Sequence, residues 1–368
     1  MSSKAPIADY DPPLPDAPSD GITALTFSHF DDPTQSNTLL VSSWDGTLRQ
    51  YAKATTDPAF TCKTVQKAAE PGVPLLSSAF GTSLRFCYGG GLDGVLYQVD
   101  MEQGVSTPVG RHEKAISALV TPSSPGSNDA PSASPFFGVM ASGSWDGTVK
   151  LWSTKSPTSS SAGSIAEVDV GGKVFAMDWV DSTLMVATSG RKILLFEIRK
   201  AGETYSAVPL QTRDSSLKFQ TRSCALFPDG EGFALGSIEG RVAIEYMDEN
   251  DIALAQGKKK YAFKCHRVGD VVYPVNAVAF HPTFGTFATG GCDGQVVLWD
   301  AKHKKRLVAL PRLATSISAL AFSKGSSAGR LLAVAQSYTF EEGEKDHPSD
   351  QVYVREMFDH EVKSSSAK

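Results

Sequence analysis

The sequence predicts an all-β chain that folds as a seven-bladed β-propeller. Three observations predict this fold. Short segments rich in β-branched and aromatic residues recur along the chain, tight turns containing glycine join them, and the unit repeats about every 50 residues, near the length of a four-stranded blade. Asp-Gly suits such turns because glycine adopts the positive φ that they need. Six turn tips mark the repeat: "SWDG" at Trp44, "GLDG" at Leu92, "SWDG" at Trp145, "TSGR" at Arg191, "SIEG" at Glu239 and "GCDG" at Asp293.

Each unit is predicted to hold three strands joined by short turns, followed by a fourth, outer strand. Residues 273–300, "YPVNAVAFHPTFGTFATGGCDGQVVLWD", show the order of strand, turn containing proline, strand, Asp-Gly turn and strand, with the outer strand in "KKRLVAL". An almost uninterrupted apolar run such as "VNAVAF" is typical of a strand buried on both faces. Seven units are predicted, beginning near Ile22, Leu75, Ile116, Val174, Phe219, Val275 and Ile317.

The seventh unit departs from this pattern. Its strands are "ISALAF", "LLAVAQSY" and "QVYVREM", but an acidic segment, "TFEEGEKDHPSD" at residues 339–350, replaces the tight turn. Because an open strand edge invites association with other chains, a propeller is expected to close with a strand from its other end. The candidate for that strand is "APIADY", residues 5–10.

The domain organisation predicted is one propeller over residues 1–360. The Ser/Pro-rich insert 121–135 and the Ser-rich insert 153–163 are too polar to pack in a core, so both are expected to be loops. The acidic segment 339–350 is a third loop. The last residues, 361–368, are expected to form a disordered tail.

The composition of the 368-residue chain narrows the classes of function. Five cysteines, an odd number with no Cys-x-x-Cys pair, argue against a disulfide framework or a zinc ribbon and favour a reducing compartment. The first residues lack the apolar core of a secretory signal, and no apolar run approaches the ~20 residues of a membrane-spanning helix. The net charge of −5 gives no support to non-specific nucleic-acid binding. We therefore expect a soluble nuclear or cytoplasmic chain.

Patterns typical of metal and phosphate sites are not found in the sequence. The seven histidines are scattered without a His-x-x-x-His pair, so no metal site is predicted. "YGGGLDG", residues 88–94, lies between two predicted strands and not before a helix, which argues against a phosphate-binding loop and a nucleotide cofactor. The basic runs 258–260 and 302–306 fall in predicted outer strands and are interpreted as a solvated rim.

Two units carry residues that resemble a catalytic set. A Ser/His/Asp combination occurs in hydrolases. However, the same residue types recur at the same offsets in both units, whereas a nucleophile needs an exposed, activated oxygen. The two sets resemble the hydrogen-bonded Asp–His–Ser/Thr–Trp network that holds turns in WD-repeat proteins. A structural network is therefore favoured over a hydrolase, and no enzyme activity is predicted. The residues are His112, Ser142, Asp146 and Trp152 in unit three, and His266, Thr289, Asp293 and Trp299 in unit six.

Trp44 and Trp145 stand directly before the Asp-Gly of the turn between the second and third strands. In a four-stranded blade these turns lie on one face of the disk, so both indoles are expected there, two blades apart. Leu92 and Cys292 take the same place in other units, so turn geometry does not require tryptophan. Either each indole packs over a neighbouring blade, or both anchor a partner, as tryptophan does at interface hot spots.

Arginines are predicted on the same face. Arg241 opens the third strand of unit five, Arg222 begins an innermost strand at the rim of the channel, and Arg191 follows the turn of unit four. Guanidinium groups match carboxylates and phosphates, so these residues suit a peptide that carries either group. Taken singly, each could instead form a surface ion pair.

Several segments resemble a known family. They are "SSLKFQTRSCALFP", "SIEGRVAIEY", "KKKYAFKCHR", "YPVNAVAFHP", "GTFATGGCDG" and "EKDHPSDQVYVRE". Together they resemble the budding-uninhibited-by-benzimidazoles family of mitotic checkpoint propellers, which are WD-repeat proteins, over nearly the whole chain outside the two inserts. A sister family, the nuclear-pore mRNA-export propellers, shares "SIEGRVAI", "FKCHR" and "AFHP", whereas "EYMD", "GGCDG" and "KKRL" are more similar to the checkpoint family.

The resemblance implies a non-catalytic adaptor of the spindle assembly checkpoint, located in the nucleus and at the kinetochore in mitosis. Such propellers hold a GLEBS segment of the checkpoint kinase, or of its kinase-related paralogue, across the face that carries the turns. They also dock on phosphorylated Met-Glu-Leu-Thr repeats of a kinetochore scaffold protein. A monomer outside its complexes is expected, with no nucleic-acid or membrane partner. The alternative is an mRNA-export adaptor that binds a nucleoporin GLEBS segment, with or without RNA.

The resemblance also implies roles for individual residues. Trp44 and Trp145 match the family's tryptophans on that face, and Arg241 matches an arginine that meets acidic residues of the GLEBS segment. Arg191 is predicted as a further contact of this peptide from its place after the turn of unit four, and not from the resemblance. Arg222 matches the phosphothreonine contact, and Lys218 nearby is a weaker candidate. One departure is Glu245, which stands where other units place tryptophan, so the packing of blade five must differ.

Overall fold

The computed structural model describes residues 9–30, 35, 37–53, 59–68, 72–123, 134–155, 163–248 and 259–364. These residues form seven antiparallel sheets arranged as blades around a central channel, which confirms the prediction of a seven-bladed propeller. In blades one to six, four strands follow one another in chain order from the channel outwards, and in blade seven the described residues form three.

The first four blades contain strands β1 to β16. Blade one holds β1 (Ile22–Phe27), β2 (Thr38–Ser43), β3 (Thr47–Lys53) and β4 (Phe60–Lys67). Blade two holds β5 (Leu75–Phe80), β6 (Phe86–Gly91), β7 (Val95–Asp100) and β8 (Val105–Arg111). Blade three holds β9 (Ile116–Val120), β10 (Val139–Ser144), β11 (Thr148–Ser153) and β12 (Ala166–Asp169). Blade four holds β13 (Val174–Val180), β14 (Thr183–Thr188), β15 (Lys192–Ala201) and β16 (Thr204–Asp214).

The last three blades contain the remaining strands. Blade five holds β17 (Thr221–Leu226), β18 (Gly232–Ser237), β19 (Arg241–Tyr246) and β20 (Tyr261–Lys264). A hairpin that the sequence did not predict, β21 (Arg267–Val268) and β22 (Val271–Val272), connects it to blade six. Blade six holds β23 (Val275–Phe280), β24 (Thr286–Gly291), β25 (Val296–Asp300) and β26 (Lys305–Ala309). Blade seven holds β27 (Ile317–Phe322), β28 (Leu331–Gln336) and β29 (Gln351–Glu356).

The hydrophobic core is divided among the interfaces between blades. Seven clusters of buried apolar residues each join two neighbouring blades, the last of them joining blade seven to blade one. The second strands β2, β10, β18, β24 and β28 are buried along their whole length, because each is covered by a blade on both faces. The innermost strands pack side by side around the ring and enclose a channel of about 890 Å³.

The segment that follows the predicted closing strand covers the edge of blade seven. Of the expected closing strand, residues 5–8 lie outside the described residues, and Asp9 and Tyr10 belong to no strand. The backbone N–H of Leu14 instead donates to the carbonyl of Val352 in β29 at 2.7 Å, and the ring of Tyr10 packs 5.3 Å from that of Tyr353. Prolines on both sides of Leu14 have no N–H to donate, so this segment covers the edge of β29 without forming a ladder.

The predicted disordered tail is wrong for its first residues. A single helical turn, α1 (Asp359–Val362), follows β29, and Glu361 and Val362 are buried in it. Val362 joins the cluster between blades six and seven, and its carbonyl accepts a hydrogen bond from the hydroxyl of Thr286 at 2.7 Å. Residues 365–368 of the tail lie outside the described residues.

The predicted loops lie partly beyond the described chain. Residues 124–133 and 156–162 of the two serine-rich inserts are outside it, while Ser123 forms a parallel bridge with Val180 of blade four. The acidic segment 339–350 contains no strand or helix. In the part of the chain that the structure describes, no helix has the length and apolarity needed to cross a membrane.

Candidate peptide-binding face

The blades present two kinds of connection on one face of the disk. Because the strands of each blade are antiparallel, the turn between the second and third strands lies beside the link that enters the innermost strand. We call this the top face. It carries the "SWDG"-type turns and the first residues of every innermost strand, and therefore the residues that the sequence singled out.

In blade three, the four residues of the predicted network meet. Nδ1 of His112 lies 3.1 Å from Oδ2 of Asp146, and Nε2 lies 2.7 Å from the hydroxyl of Ser142. The indole N–H of Trp152 donates to the same hydroxyl at 2.7 Å. Burial lowers the pKa of His112, which favours the neutral imidazole. Burial opposes ionisation of Asp146, yet hydrogen bonds from Thr148 and Glu113 hold the pKa of its carboxyl below the ordinary value.

Blade six repeats this geometry. His266 lies 2.9 Å from Asp293 and 2.8 Å from the hydroxyl of Thr289, to which the indole N–H of Trp299 donates at 2.9 Å. In both blades the hydroxyl is fully buried, so no substrate could reach it as a nucleophile. In each blade the histidine lies in the connection from the preceding blade and the aspartate in the top-face turn, so their hydrogen bond joins these two segments. Among the described residues, no His, Cys, Asp or Glu side chains are grouped as metal ligands.

The two tryptophans of the turns share a backbone position but differ in exposure. The backbone N–H of Trp44 donates to Gly21 and that of Trp145 to Ala115, at 2.9 and 3.0 Å. Trp44 is 43% exposed and lies against Gly21, where a side chain would crowd the indole. Trp145 is half-buried, so part of its surface packs on the protein.

Exposed apolar side chains are concentrated on the top face. Of twelve large apolar residues that are exposed in the described chain, seven lie there. The sequence indicated only Trp44 among them. For the other six, the only sign in the sequence was an apolar residue in a turn or in a connection between two strands. The seven are Trp44, Leu92, Phe219, Ile238, Val268, Val271 and Phe340.

Arg222 occupies the rim of the channel. Each innermost strand places its second residue at this rim, and of these seven residues Arg222 alone is charged. Its Nε donates to Oδ1 of Asn276, the second residue of β23, at 2.6 Å. The amide of Asn276 donates in turn to the carbonyl of Ile317 at 3.0 Å, which fixes its orientation. The guanidinium is therefore held by one neighbour and remains exposed to a ligand.

The other basic residues of the top face differ in the contacts that they make within the protein. Nε of Arg241 lies 3.6 Å from the carboxylate of Glu239, which also accepts the backbone N–H of Lys218. The side chain of Lys218 is exposed. Arg191 has a positive φ of 64° and donates to the carbonyl of Leu217 at 3.0 Å, so it supports the loop that carries Lys218. We regard Arg191 as a positioning residue.

Glu245 takes the place of the tryptophan in blade five, and its surroundings explain the departure. Its buried carboxylate accepts the backbone N–H of Ser216 at 3.0 Å and lies 3.8 Å from the guanidinium of Arg213. Arg213 belongs to the outer strand of blade four, so an ion pair joins blades four and five where blades three and six use an indole.

Comparisons with known proteins agree with this architecture. The family described as WD domain, G-beta repeat matches residues 108–153 and 257–300, the stretches that carry the two complete networks. The mitotic checkpoint protein BUB3.1 of Arabidopsis thaliana is 39% identical over 95% of this chain and 94% of its own. The mitotic checkpoint protein bub3 of Dictyostelium discoideum is 38% identical over 98% of each chain. The chain belongs to the BUB3 family.

Membership of the BUB3 family confirms the resemblance seen in the sequence and the assignment as a WD-repeat propeller. The Poly(A)+ RNA export protein of Schizosaccharomyces pombe is also similar, with 33% identity over 89% of this chain and 84% of its own. Its similarity agrees with the position of the export propellers as a sister of the BUB3 family.

Proposed function

We propose that this BUB3-family chain is a non-catalytic adaptor of the spindle assembly checkpoint. It holds GLEBS-type segments of the checkpoint kinase and of its kinase-related paralogue on the top face, and it docks them on phosphorylated Met-Glu-Leu-Thr repeats of a kinetochore scaffold protein. Its place of action is the nucleus, and the kinetochore in mitosis. The names of the relatives support the checkpoint role.

The observation that carries the proposal is the pairing of exposed apolar side chains with one exposed arginine at the channel rim. Exposed indoles and other large apolar groups are the anchors that peptide and protein interfaces use most. A guanidinium at the centre of such a surface matches a phosphate better than an ammonium does, because its planar fork donates two parallel hydrogen bonds.

The proposal divides the top face between two ligands. Trp44, Trp145 and Arg241 bind the GLEBS segment, with Arg191 supporting the loop beside it. Arg222 binds the phosphothreonine, and Lys218 adds a second positive charge near the rim. The networks of blades three and six hold the top-face turns in shape and contact neither ligand.

A pull-down from mitotic and interphase extracts tests this function. The wild-type chain is expected to recover checkpoint kinase from both extracts and the scaffold protein from mitotic extract only, because the scaffold must be phosphorylated. The double variant Trp44→Ala/Trp145→Ala is expected to lose the kinase, and Arg199→Ala, an exposed arginine away from the top face, serves as the matched control. Recovery of nucleoporins without checkpoint kinase contradicts the proposal.

The second candidate is an mRNA-export adaptor that binds a nucleoporin GLEBS segment. The 33% identity to the export protein of Schizosaccharomyces pombe favours it. It predicts recovery of the same nucleoporin from both extracts, and RNA binding that weakens steeply with salt. The net charge of −5 argues against the RNA component.

A further inference from the structure

The acidic loop of blade seven begins beside Arg222. This loop, residues 339–350, is the top-face connection between β28 and β29. The amide of Asn276 accepts the hydrogen bond of Arg222 at 2.6 Å and donates to the hydroxyl of Thr339 at 3.4 Å. Only one amide group therefore separates the guanidinium from the hydroxyl of the first residue of the loop.

The residues after Thr339 match the sequence preference of one class of protein kinase. Glu341, Glu342, Glu344 and Asp346 follow within seven positions, and all four side chains are exposed. Protein kinases with a basic substrate groove select hydroxyls that acidic residues follow, because their lysines and arginines pair with those carboxylates. The arrangement Thr-Phe-Glu-Glu places carboxylates two and three residues after the hydroxyl.

The loop turns at Phe340, directly after Thr339. Phe340 has a φ of 58°, in the left-handed region that an aromatic residue rarely adopts, and its side chain is 63% exposed. Phe340 therefore marks a turn at which the ring is directed into solvent while Thr339 stays beside Asn276.

We propose that Thr339 is a phosphorylation site of an acidophilic serine/threonine kinase, and that its phosphate pairs with Arg222 and closes the phosphothreonine site of the top face. The closure of that site rests on the function proposed above. The kinase transfers the γ-phosphoryl group of ATP to Oγ1 of Thr339. The new O–P bond forms as the bond from the γ-phosphorus to the β,γ-bridging oxygen breaks, ADP leaves, and the hydroxyl proton passes to a base of the kinase.

Charge directs the phosphate towards Arg222. In the unmodified chain the hydroxyl of Thr339 donates to Glu341 at 2.7 Å, and Ser316 donates to the other oxygen of that carboxylate. Phosphorylation removes the donor and places about −1.5 to −2 charges next to Glu341, which repels them. Arg222 is the cation that the hydrogen bonds of Asn276 link to Thr339, and it forms a charge-assisted pair with the phosphate.

The modification is tested first. The full chain is incubated with ATP and a kinase of the casein-kinase-2 class, and phosphorylated positions are identified by mass spectrometry. Thr339 is expected to be modified in the wild type, not in Thr339→Val, and several-fold more slowly in Glu342→Gln. Glu342 pairs with Lys345, whereas the hydroxyl of Thr339 donates to Glu341, so this substitution leaves the hydrogen bond of the hydroxyl in place. Absence of phosphate on Thr339 overturns the proposal.

The pairing with Arg222 is tested by ³¹P NMR, which needs no peptide ligand. An arginine partner is expected to lower the second pKa of the phosphothreonine below its ordinary value of about 6, and Arg222→Ala is expected to restore that value. The matched control Arg199→Ala, exposed and remote, is expected to change nothing. An unshifted pKa in the wild type, or one that Arg222→Ala leaves shifted, overturns the pairing.

Closure of the site is tested by fluorescence anisotropy with a phosphothreonine peptide and its unphosphorylated twin. The chain phosphorylated on Thr339 is expected to bind the phosphopeptide about ten- to a hundredfold more weakly than the unmodified chain, with the unphosphorylated peptide unaffected. Equal binding by the two forms overturns the closure. If the unmodified chain itself does not prefer the phosphopeptide, the proposed function fails, whereas the NMR result still decides the pairing.

Discussion

The guanidinium of Arg355 and the carboxylate of Glu361 form an ion pair inside the protein, 2.9 Å apart, with 2% and 1% of their side chains exposed. Arg355 lies in the last strand and Glu361 in α1, so the pair fastens the end of the described chain to blade seven. The same carboxylate accepts the backbone N–H of Phe358 at 3.1 Å. A buried charge is tolerated only with such partners, which explains why these residues are ordered although the sequence suggested a tail.

Glu361→Ala is expected to lower the free energy of unfolding by about 3–5 kcal/mol, because Arg355 is left as an uncompensated buried charge. The measurement is urea unfolding followed by tryptophan fluorescence. Asp359→Ala provides the matched control in the same helix, since its pair with Lys363 is exposed and contributes about 0–1 kcal/mol. Equal effects of the two substitutions would mean that burial does not set the strength of the pair.

The stability of the fold is expected to fall as the pH is lowered from 6.5 to about 4. Burial lowers the pKa of both His29 and His281 from 6.5 to about 4. The unfolded chain therefore binds more protons than the folded one in this window, so each histidine destabilises the fold by up to ~1.4 kcal/mol per pH unit as the pH falls. Above 6.5 both states are neutral and the contribution is constant.

Unfolding curves at several pH values between 7 and 4 check this dependence. His281→Asn is expected to flatten it, because asparagine can still accept the backbone N–H groups of Thr283 and Phe284 that His281 accepts, and it does not titrate. An unaltered slope in His281→Asn would assign the pH dependence to other groups.

The fold could be predicted from the sequence because a propeller repeats its local signals. The Asp-Gly turns and the paired His–Asp sets recur at fixed spacing, so each unit supports the interpretation of the next. The segment before β1 has no repeat to compare with, and the prolines beside Leu14 leave it few backbone N–H groups for a ladder. The burial of Glu361 depends on Arg355, a contact that no local pattern encodes.

For the candidate site, the sequence indicated single residues, but not the hydrogen bonds and surfaces that they form together. Arg222 was predicted at the start of an innermost strand, yet its hydrogen bond to Asn276 depends on the packing of β17 beside β23. The apolar surface around Phe219 and Phe340 was missed because isolated exposed apolar residues are common and carry no period. Only the ring of blades brings them to one face.

Trp44→Ala and Trp145→Ala are each expected to weaken binding of a GLEBS peptide while the fold survives. Tryptophan at an interface hot spot typically contributes about 2 kcal/mol or more, roughly thirtyfold in Kd. Since Trp44 is the more exposed of the two, Trp145→Ala is expected to lower the free energy of unfolding more. Isothermal calorimetry and urea unfolding measure the two effects. Unchanged affinity in both variants would identify the indoles as packing residues.

Arg222 is expected to discriminate phosphorylated from unphosphorylated scaffold peptide. Phosphothreonine offers about −1.5 to −2 charges and three acceptor oxygens, and a hydrogen bond to a charged group contributes ~1.5–3 kcal/mol, roughly ten- to a hundredfold in affinity. Arg222→Ala should therefore remove most of the phosphate preference in fluorescence anisotropy with paired peptides, and added salt should weaken wild-type binding in parallel.

Two further variants decide whether the effect belongs to the guanidinium of Arg222. Arg222→Lys should recover part of the preference, because an ammonium keeps the charge but lacks the planar fork. Arg241→Ala should weaken the GLEBS peptide more than the phosphopeptide, since Arg241 lies beside Glu239 in the turn and away from Asn276. If Arg222→Ala weakens both scaffold peptides equally, or keeps the full preference for phosphate, the phosphate is bound elsewhere on the top face.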